Sequence, residues 1–281
     1  LCSKGSSLAE TLTLEGRLLE PSIDGKTVSW PTAIQKIASD FQRIIAEHGR
    51  ESVAFYVSGQ LLTEDYYVAN KLMKGYIGTA NIDTNSRLCM SSAVAGYKRA
   101  FGADTVPASY EDFDSAELII LVGSNTAWCH PIVFQRIKAI KAQRPSLKIV
   151  VVDPRETATN EIADLHLPIK AGTDVLLFNA LLADIAAKGL VDSDFVANHT
   201  KGLADTIKAA QQDVGDGSTV AERLGLTAEA LATLKTWFAN TPKTMTLFSM
   251  GVNQSSSGTD KVNAIVNCHL ATGRIGKAGA A

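Results

Sequence analysis

Cys89 stands in a stretch whose residue types suit a soft metal. Residues 85–93 read Asn-Ser-Arg-Leu-Cys-Met-Ser-Ser-Ala and run into a predicted helix at 91–101. A helix N-terminus and the nearby Arg87 both favour the thiolate, the form of cysteine that ligates soft metals or attacks as a nucleophile. A lone cysteine is more commonly a buried, inert packing residue. The pattern therefore predicts a metal ligand or a nucleophile at Cys89, with packing as the alternative.

Two loops that could meet a ligand follow predicted buried strands. Residues 121–125 read Leu-Val-Gly-Ser-Asn, and residues 151–155 read Val-Val-Asp-Pro-Arg. In an open α/β sheet, ligands bind beyond the carboxyl ends of the strands, where a glycine lets backbone N–H groups approach phosphate and an acidic side chain can hold a ribose or a base. Neither loop is a GxGxxG motif, and a glycine after a strand often marks only a turn. Both readings, nucleotide loop and plain turn, stay open.

A third loop, residues 170–174, reads Lys-Ala-Gly-Thr-Asp and precedes an apolar helical pattern. Thr173 or Asp174 can simply cap that helix. The sharper hypothesis is that the Asp174 carboxylate accepts two hydrogen bonds from the edge of a guanine, a geometry that acidic side chains supply well. That hypothesis depends on a guanine-bearing ligand.

The elements that must position these loops alternate between strand and helix. Ser29, Pro31 and an apolar face repeating every three to four residues predict a helix over 31–48. Short apolar runs at 53–57, 117–122, 148–152 and 245–248 read as buried strands, with helical patterns between them. This alternation predicts an α/β fold with a doubly wound, mostly parallel sheet covered on both faces.

Composition excludes several other classes. The 281 residues carry a formal net charge of -2 with a pI near 6.2, so there is no basic field for nucleic acid. The longest apolar runs are far shorter than the roughly 20 residues that span a bilayer, so no membrane span is expected. The histidines show no metal-ligand spacing, and Cys129 and Cys268 are expected to be packing residues on helices. No Ser-His-Asp order or GxSxG elbow supports hydrolase chemistry.

Taken together, these motifs resemble the molybdopterin oxidoreductase family, in that family's order and over essentially the whole chain. Within the family, the run Arg-Leu-Cys-Met-Ser-Ser-Ala-Val at 87–94 is similar to that of nitrate reductases of the assimilatory or periplasmic type. The other segments that carry the resemblance are 1–5, 122–125, 152–155, 172–174 and 250–254.

The resemblance implies a molybdenum held by two molybdopterin guanine dinucleotides and by the Cys89 thiolate, with Arg87 and Met90 beside it at the catalytic centre. It also implies a 4Fe-4S cluster, with Cys2 as the last of its four thiolate ligands. Lys4 would bridge cluster and pterin. The further positions that the resemblance assigns to cofactor binding are Gln60, Asn85, Gly123, Ser124, Asn125, Asp153, Arg155, Gly172, Thr173, Asp174, Met250 and Gln254.

The implied activity is reduction of nitrate to nitrite by oxygen-atom transfer, in nitrate assimilation. Met90 takes the place where formate dehydrogenases of the family carry histidine, which favours nitrate over formate. Formate dehydrogenase is the nearest alternative, and a nucleotide-binding or structural α/β module without redox chemistry is the alternative from another class. The implied partner is an electron donor: a ferredoxin, a flavoprotein or a cytochrome.

Both ends of the chain look cut, since it lacks an initial Met and breaks off after a helical pattern. The piece alone is therefore expected to be inactive and to lack both cofactors. A cytoplasmic location is expected, or a periplasmic one if a twin-arginine leader precedes Leu1. The expected domains are a remnant of the cluster domain at 1–50, a flanking α/β domain formed by 51–83 with 242–281, and a Rossmann-like dinucleotide-binding domain at 84–241.

Overall fold

A computed structural model describes residues 3–217 and 219–281, without the side chains of Ser3, Lys4 and Arg87. The described residues divide into two compact units: one is Lys4–Cys89, and the other is Met90–Ala281 together with Ser3. The fold predicted from the sequence is confirmed: helices alternate with strands, and the larger sheet is parallel throughout.

The unit Lys4–Cys89 contains a long amphipathic helix and a small parallel sheet. The helix begins at Trp30 and ends at His48, where the sequence predicts it, with the Ser29 hydroxyl accepting from the Thr32 N–H at its start. Strands β3 (Phe55–Val57) and β4 (Ile82–Thr84) pair in parallel, with Phe55 beside Ile82. The elements in chain order are α1 Ser3–Ser6, β1 Ser22–Ile23, β2 Lys26–Thr27, α2 Trp30–His48, β3 Phe55–Val57, α3 Thr63–Asn70, a π-helix Lys71–Ile77, β4 Ile82–Thr84 and α4 Ser86–Cys89.

The unit Met90–Ala281 is built around one sheet, called here the main sheet, whose strands lie in the order β7-β6-β5-β8, all parallel. Its strands are β5 Leu118–Val122, β6 Lys148–Val152, β7 Leu165–Leu167 and β8 Thr244–Phe248. Its helices are α5 Ser91–Phe101, α6 Thr126–Cys129, α7 Pro131–Gln143, α8 Asp174–Ala187, α9 Ser193–His199, α10 Leu203–Val214, α11 Val220–Leu224, α12 Ala228–Asn240, α13 Met250–Asn253 and α14 Gly258–Ala271. Short 3-10 helices occupy Leu8–Leu12, Arg50–Ser52, Tyr110–Asp114 and Ala158–Ile162.

Both faces of the main sheet are covered by apolar side chains. Every residue of β5 is fully buried. Leu118 and Ile120 pack into one core with α8 and α14, while Ile119 and Leu121 pack into a second core with α7 on the opposite face. This double burial explains why the strand reads as an unbroken apolar run instead of an alternating one.

The division into units differs from the domains expected from the sequence. Residues 242–281 were expected to join 51–83, but β8 pairs with β5, Thr244 beside Leu118, and α14 packs against α5 and α8. Residues 84–89 belong with Lys4–Cys89, so the boundary follows Cys89. An apolar strand pattern shows that a segment is buried, but it does not show which sheet receives it.

None of the helices in the described ranges combines the length with the hydropathy that crossing a bilayer requires.

Candidate functional site

A cleft of about 670 Å³ lies at the carboxyl edge of the main sheet. The strands are parallel, so the loops that follow them all emerge at this edge, and it is here that α/β sheets bind ligands. The residues that line the cleft are Gly123, Asn125, Cys129, Val152, Asp153, Pro154, Arg155, Ile169, Ala171, Gly172, Asp174, Ser249, Met250, Gly251, Ser255, Ser256, Ser257 and Lys261.

The structure brings together most of the predicted site residues of this unit. Those that line the cleft are Gly123, Asn125, Asp153, Arg155, Gly172, Asp174 and Met250. Three predicted residues do not line the cleft. The buried Ser124 hydroxyl lies 2.8 Å from Thr126 Oγ1, and the Thr173 hydroxyl donates to Lys170 O at 2.7 Å. Gln254 follows α13, and its N–H donates to Met250 O. Ser124 and Thr173 therefore hold the loops that carry the lining residues.

Gly123, in the loop after β5, and Gly251, in the short helix α13 after β8, are in direct backbone contact. The Gly251 N–H donates to Gly123 O at 3.0 Å. A Cβ atom on Gly251 would lie 2.7 Å from Gly123 Cα and 2.8 Å from Gly123 O, and Gly123 itself has a φ of +54°. The close approach leaves no room for a side chain at either position and keeps backbone open at the cleft wall.

We expect Gly251→Ala to lower the free energy of unfolding by about 1–3 kcal/mol, because the added methyl group meets backbone atoms that cannot rotate away. Urea unfolding followed by circular dichroism measures the change. Gly75→Ala is the matched control, since its Cβ would meet only Lys71 Cγ at 3.9 Å. Equal stability of the two variants would contradict the close approach.

The loop after β6 presents one carboxylate and one guanidinium. Asp153 is buried, and its Oδ1 accepts from the Arg155 N–H at 2.9 Å, which turns the chain back over the end of the strand. The His166 ring lies 2.9 Å from Asp153 O and holds the loop to β7. Arg155 is exposed at the rim, where a guanidinium can pair with phosphate oxygens in a fork.

The first residue of α8, Asp174, forms an ion pair inside the cleft. Its Oδ2 lies 2.7 Å from Lys261 Nζ, and the two residues are only 6% and 3% exposed. Lys261 was not predicted as a site residue, because it lies inside the helical pattern of α14 and far along the chain from its partner. A lysine among apolar positions of a helix was the available signal.

Cys129 was also assigned incorrectly. It was expected to pack in the core, but it is exposed and lines the cleft at the end of the short helix α6. Cys268 is fully buried, as expected, and burial raises the pKa of its thiol to about 12.

In the unit Lys4–Cys89, three predicted residues follow the carboxyl ends of its two parallel strands. Gln60 follows β3, while Asn85 and Cys89 follow β4. Asn85 Oδ1 accepts from the Gly59 N–H at 2.6 Å, which ties the two loops together, and the Cys89 N–H donates to Asn85 O at 3.0 Å. The Cys89 side chain is exposed at the end of α4, so the alternative of a core packing residue is excluded.

The remaining predicted residues are described only in part. Cys2 lies outside the described residues. Lys4 lies in α1 and Arg87 in α4, and the positions of their side chains are not described. Met90, 46% exposed, is the first residue of the unit Met90–Ala281. Among the described residues, no three or more His, Cys, Asp or Glu side chains cluster as a metal site.

A second cavity of about 490 Å³ in the unit Met90–Ala281 has a mainly apolar lining. It includes Tyr97, whose phenol has its pKa raised to about 12 by burial and, second, by the charge of Asp104. It also includes His269, which is buried and hydrogen bonded to Thr246 Oγ1 at 2.8 Å. Such a lining suits hydrocarbon rather than phosphate, so the cleft at the sheet edge is the better candidate for a nucleotide.

Comparison with known proteins finds a matching family and similar chains. A family model described as "Molybdopterin oxidoreductase" matches residues 17–281. The chain is 52% identical over 279 residues to a protein of Klebsiella oxytoca named nitrate reductase, covering 99% of this chain and 31% of that protein. It is 31% identical over 286 residues to the F420-dependent formate dehydrogenase subunit alpha of Methanocaldococcus jannaschii, covering 99% of this chain and 41% of that protein.

Acetylene hydratase from Pelobacter acetylenicus has a similar fold, with a TM-score of 0.72 and 24% identity over 96% of this chain and 37% of that structure. The chain thus spans 31% to 41% of the length of these relatives.

Proposed function

Because the chain belongs to the molybdopterin oxidoreductase family, whose cofactor is a molybdenum–pterin group, we propose that it forms part of a catalytic subunit that reduces nitrate to nitrite. The observation that carries the proposal is the cleft at the carboxyl edge of the main sheet. It gathers, within one unit, the backbone of two closely packed glycines, an exposed guanidinium and a buried carboxylate. These groups match the phosphate and base of a nucleotide-bearing pterin cofactor.

Separate groups of the cleft would bind separate parts of the proposed cofactor. The backbone beside Gly123 and Gly251 is bare enough for a pyrophosphate to approach its N–H groups. Arg155 at the rim would pair with phosphate oxygens, and Asp174 would accept from a guanine edge. We propose on this basis that the cofactor carries guanine dinucleotides, two of them for the molybdenum as the resemblance implies.

Cys89 would be the protein ligand of molybdenum. Its sulfur is a soft donor, and it is exposed at the ends of β3 and β4 beside Asn85, which suits a residue that anchors an external group. Asn85 ties the loop after β4 to the loop after β3, in which Gln60 lies, and the resemblance implies that both residues would line the cofactor. When bound, the molybdenum centre supplies two-electron oxygen-atom transfer, which turns nitrate, two electrons and two protons into nitrite and water.

A 4Fe-4S cluster, for which the resemblance implies Cys2 as a ligand and Lys4 as the bridge to the pterin, would complete the proposed electron path, fed by a ferredoxin, a flavoprotein or a cytochrome. We propose a cytoplasmic, assimilatory role. Met90 next to Cys89, where the family's formate dehydrogenases carry histidine, supports nitrate over formate as the substrate.

Analysis of the full-length protein, purified without oxygen, tests the proposal. We expect molybdenum, iron and guanine nucleotide in the protein, and oxidation of reduced methyl viologen by nitrate but no reduction of the dye by formate. Turnover of formate alone would make the protein a formate dehydrogenase. A folded protein with neither metal would leave a nucleotide-binding or structural module.

A further inference from the structure

The floor of the cleft holds a buried lysine that the proposed function does not use. Lys261, on α14, places Nζ 2.7 Å from Oδ2 of Asp174, the residue proposed to contact the base. We propose that Lys261 is a positioning residue that makes the cleft selective for guanine by keeping the Asp174 carboxylate ionised and fixed in orientation. This inference rests on the proposed function and deepens it, because it names what sets the base preference of that site.

The charge state of Asp174 decides which base it can bind. Guanine offers two donors on one edge, N1–H and the exocyclic amine, so a carboxylate that only accepts can pair with both. Adenine offers one acceptor and one donor on the corresponding edge, which matches a neutral carboxylic acid with one O–H and one free oxygen. A cleft with an ionised Asp174 therefore prefers guanine, and a cleft with a neutral Asp174 prefers adenine.

The buried carboxylate of Asp174 depends on a counter-charge. The residue is 6% exposed, and removing a charge from water costs free energy unless an opposite charge lies beside it. Lys261 is 3% exposed and supplies the compensating charge at hydrogen-bond distance. The other cation that lines the described part of the cleft, Arg155, is exposed at the rim, where its charge is screened by water.

Lys261 is itself held in place. Its Nζ lies 3.5 Å from Gly251 O in the loop after β8, and α14 packs against α8, which begins with Asp174. The Lys261 ammonium thus contacts both Gly251 and the first residue of α8, which limits the orientations that the Asp174 carboxylate can adopt. Asp153, the other buried carboxylate of the cleft, has its Oδ1 engaged by the Arg155 N–H.

Isothermal titration of the chain with GDP and with ADP tests the inference through binding rather than turnover. For the unaltered chain we expect GDP to bind at least about tenfold more tightly than ADP, because one charge-assisted hydrogen bond changes a binding constant by about that factor. Lys261→Met should remove that preference or reverse it. Lys261→Arg keeps the charge and should retain the preference, while Lys261→Gln should lose it.

Lys141→Met is the matched control, because it breaks a partly buried ion pair with Asp164, 2.7 Å long, that lies outside the cleft lining. This variant should keep the GDP preference. If Lys261→Met fails to fold, as judged by circular dichroism, the Arg and Gln variants decide the question. Asp174→Asn should also lose the preference, and adding Lys261→Met to it should cause no further loss.

The outcomes separate the inference from the proposed function. A GDP preference that survives Lys261→Met or Lys261→Gln overturns the role of Lys261 and leaves the guanine site standing. If these variants weaken the binding of GDP and of ADP equally, Lys261 acts in phosphate binding or in the fold, and the inference is also overturned. If the unaltered chain binds GDP no better than ADP, both the guanine site and the inference fail.

Discussion

Replacing Cys89 with alanine in the full-length protein is expected to abolish nitrate turnover while leaving the fold intact. The thiolate is the proposed protein ligand of molybdenum, and alanine offers the metal no donor. Because Cys89 is exposed, its removal should change the free energy of unfolding by no more than about 0.5 kcal/mol. Viologen-linked nitrate reduction and urea unfolding measure the two effects on the same preparation.

Leu88→Ala is the control for this experiment. Leu88 precedes Cys89 in α4 and is 64% exposed, so the substitution perturbs the same short helix without removing a donor atom. We expect this variant to keep most of the turnover. Nitrate reduction by Cys89→Ala at the unaltered rate would rule out Cys89 as the metal ligand.

Acid should destabilise the unit Met90–Ala281 through His269. Burial, and then the charge of Arg274, lowers the pKa of this histidine from 6.5 to about 3. Below pH 6.5 the unfolded chain binds a proton at this residue and the folded chain does not. The free energy of unfolding that this group contributes is therefore fully present well above pH 6.5 and falls as the pH drops toward 3. Between pH 6.5 and about pH 4.5 this group alone should lower the free energy of unfolding by about 2 kcal/mol.

His269→Gln provides the comparison, because an amide does not titrate and can still hydrogen bond to Thr246 Oγ1, the partner of the imidazole at 2.8 Å. Urea unfolding of both proteins at several pH values measures the slope. We expect the unaltered chain to lose stability with acid more steeply than the variant. Equal dependence of the free energy of unfolding on pH in the two proteins would mean that His269 keeps an ordinary pKa in the folded state.

The strands of the main sheet were predictable because both of their faces are buried. Predicted runs at 117–122, 148–152 and 245–248 correspond to β5, β6 and β8. β7 was missed, since it has only three residues and His166 at its centre breaks the apolar run. The helix at Trp30–His48 was found from its cap and its apolar repeat.

The contacts between elements that lie far apart along the chain could not be predicted from the sequence. Periodicity shows that 245–248 is buried, but the pairing of β8 with β5 is a long-range choice, so residues 242–281 were expected in the wrong unit. For the same reason the loops of the cleft could be identified one by one, whereas the ion pair of Asp174 with Lys261 could not. Cys129 illustrates a further limit, because a helix of four residues is too short for its sequence to reveal an exposed face.

A crystal structure of the full-length protein, purified with its cofactor, tests the central claim most directly. We expect molybdenum at bonding distance from Cys89 Sγ, and the guanine of one dinucleotide hydrogen bonded to Asp174 in the cleft at the carboxyl edge of the main sheet. Molybdenum held by a different residue, or both guanines bound away from that cleft, would contradict the assignment.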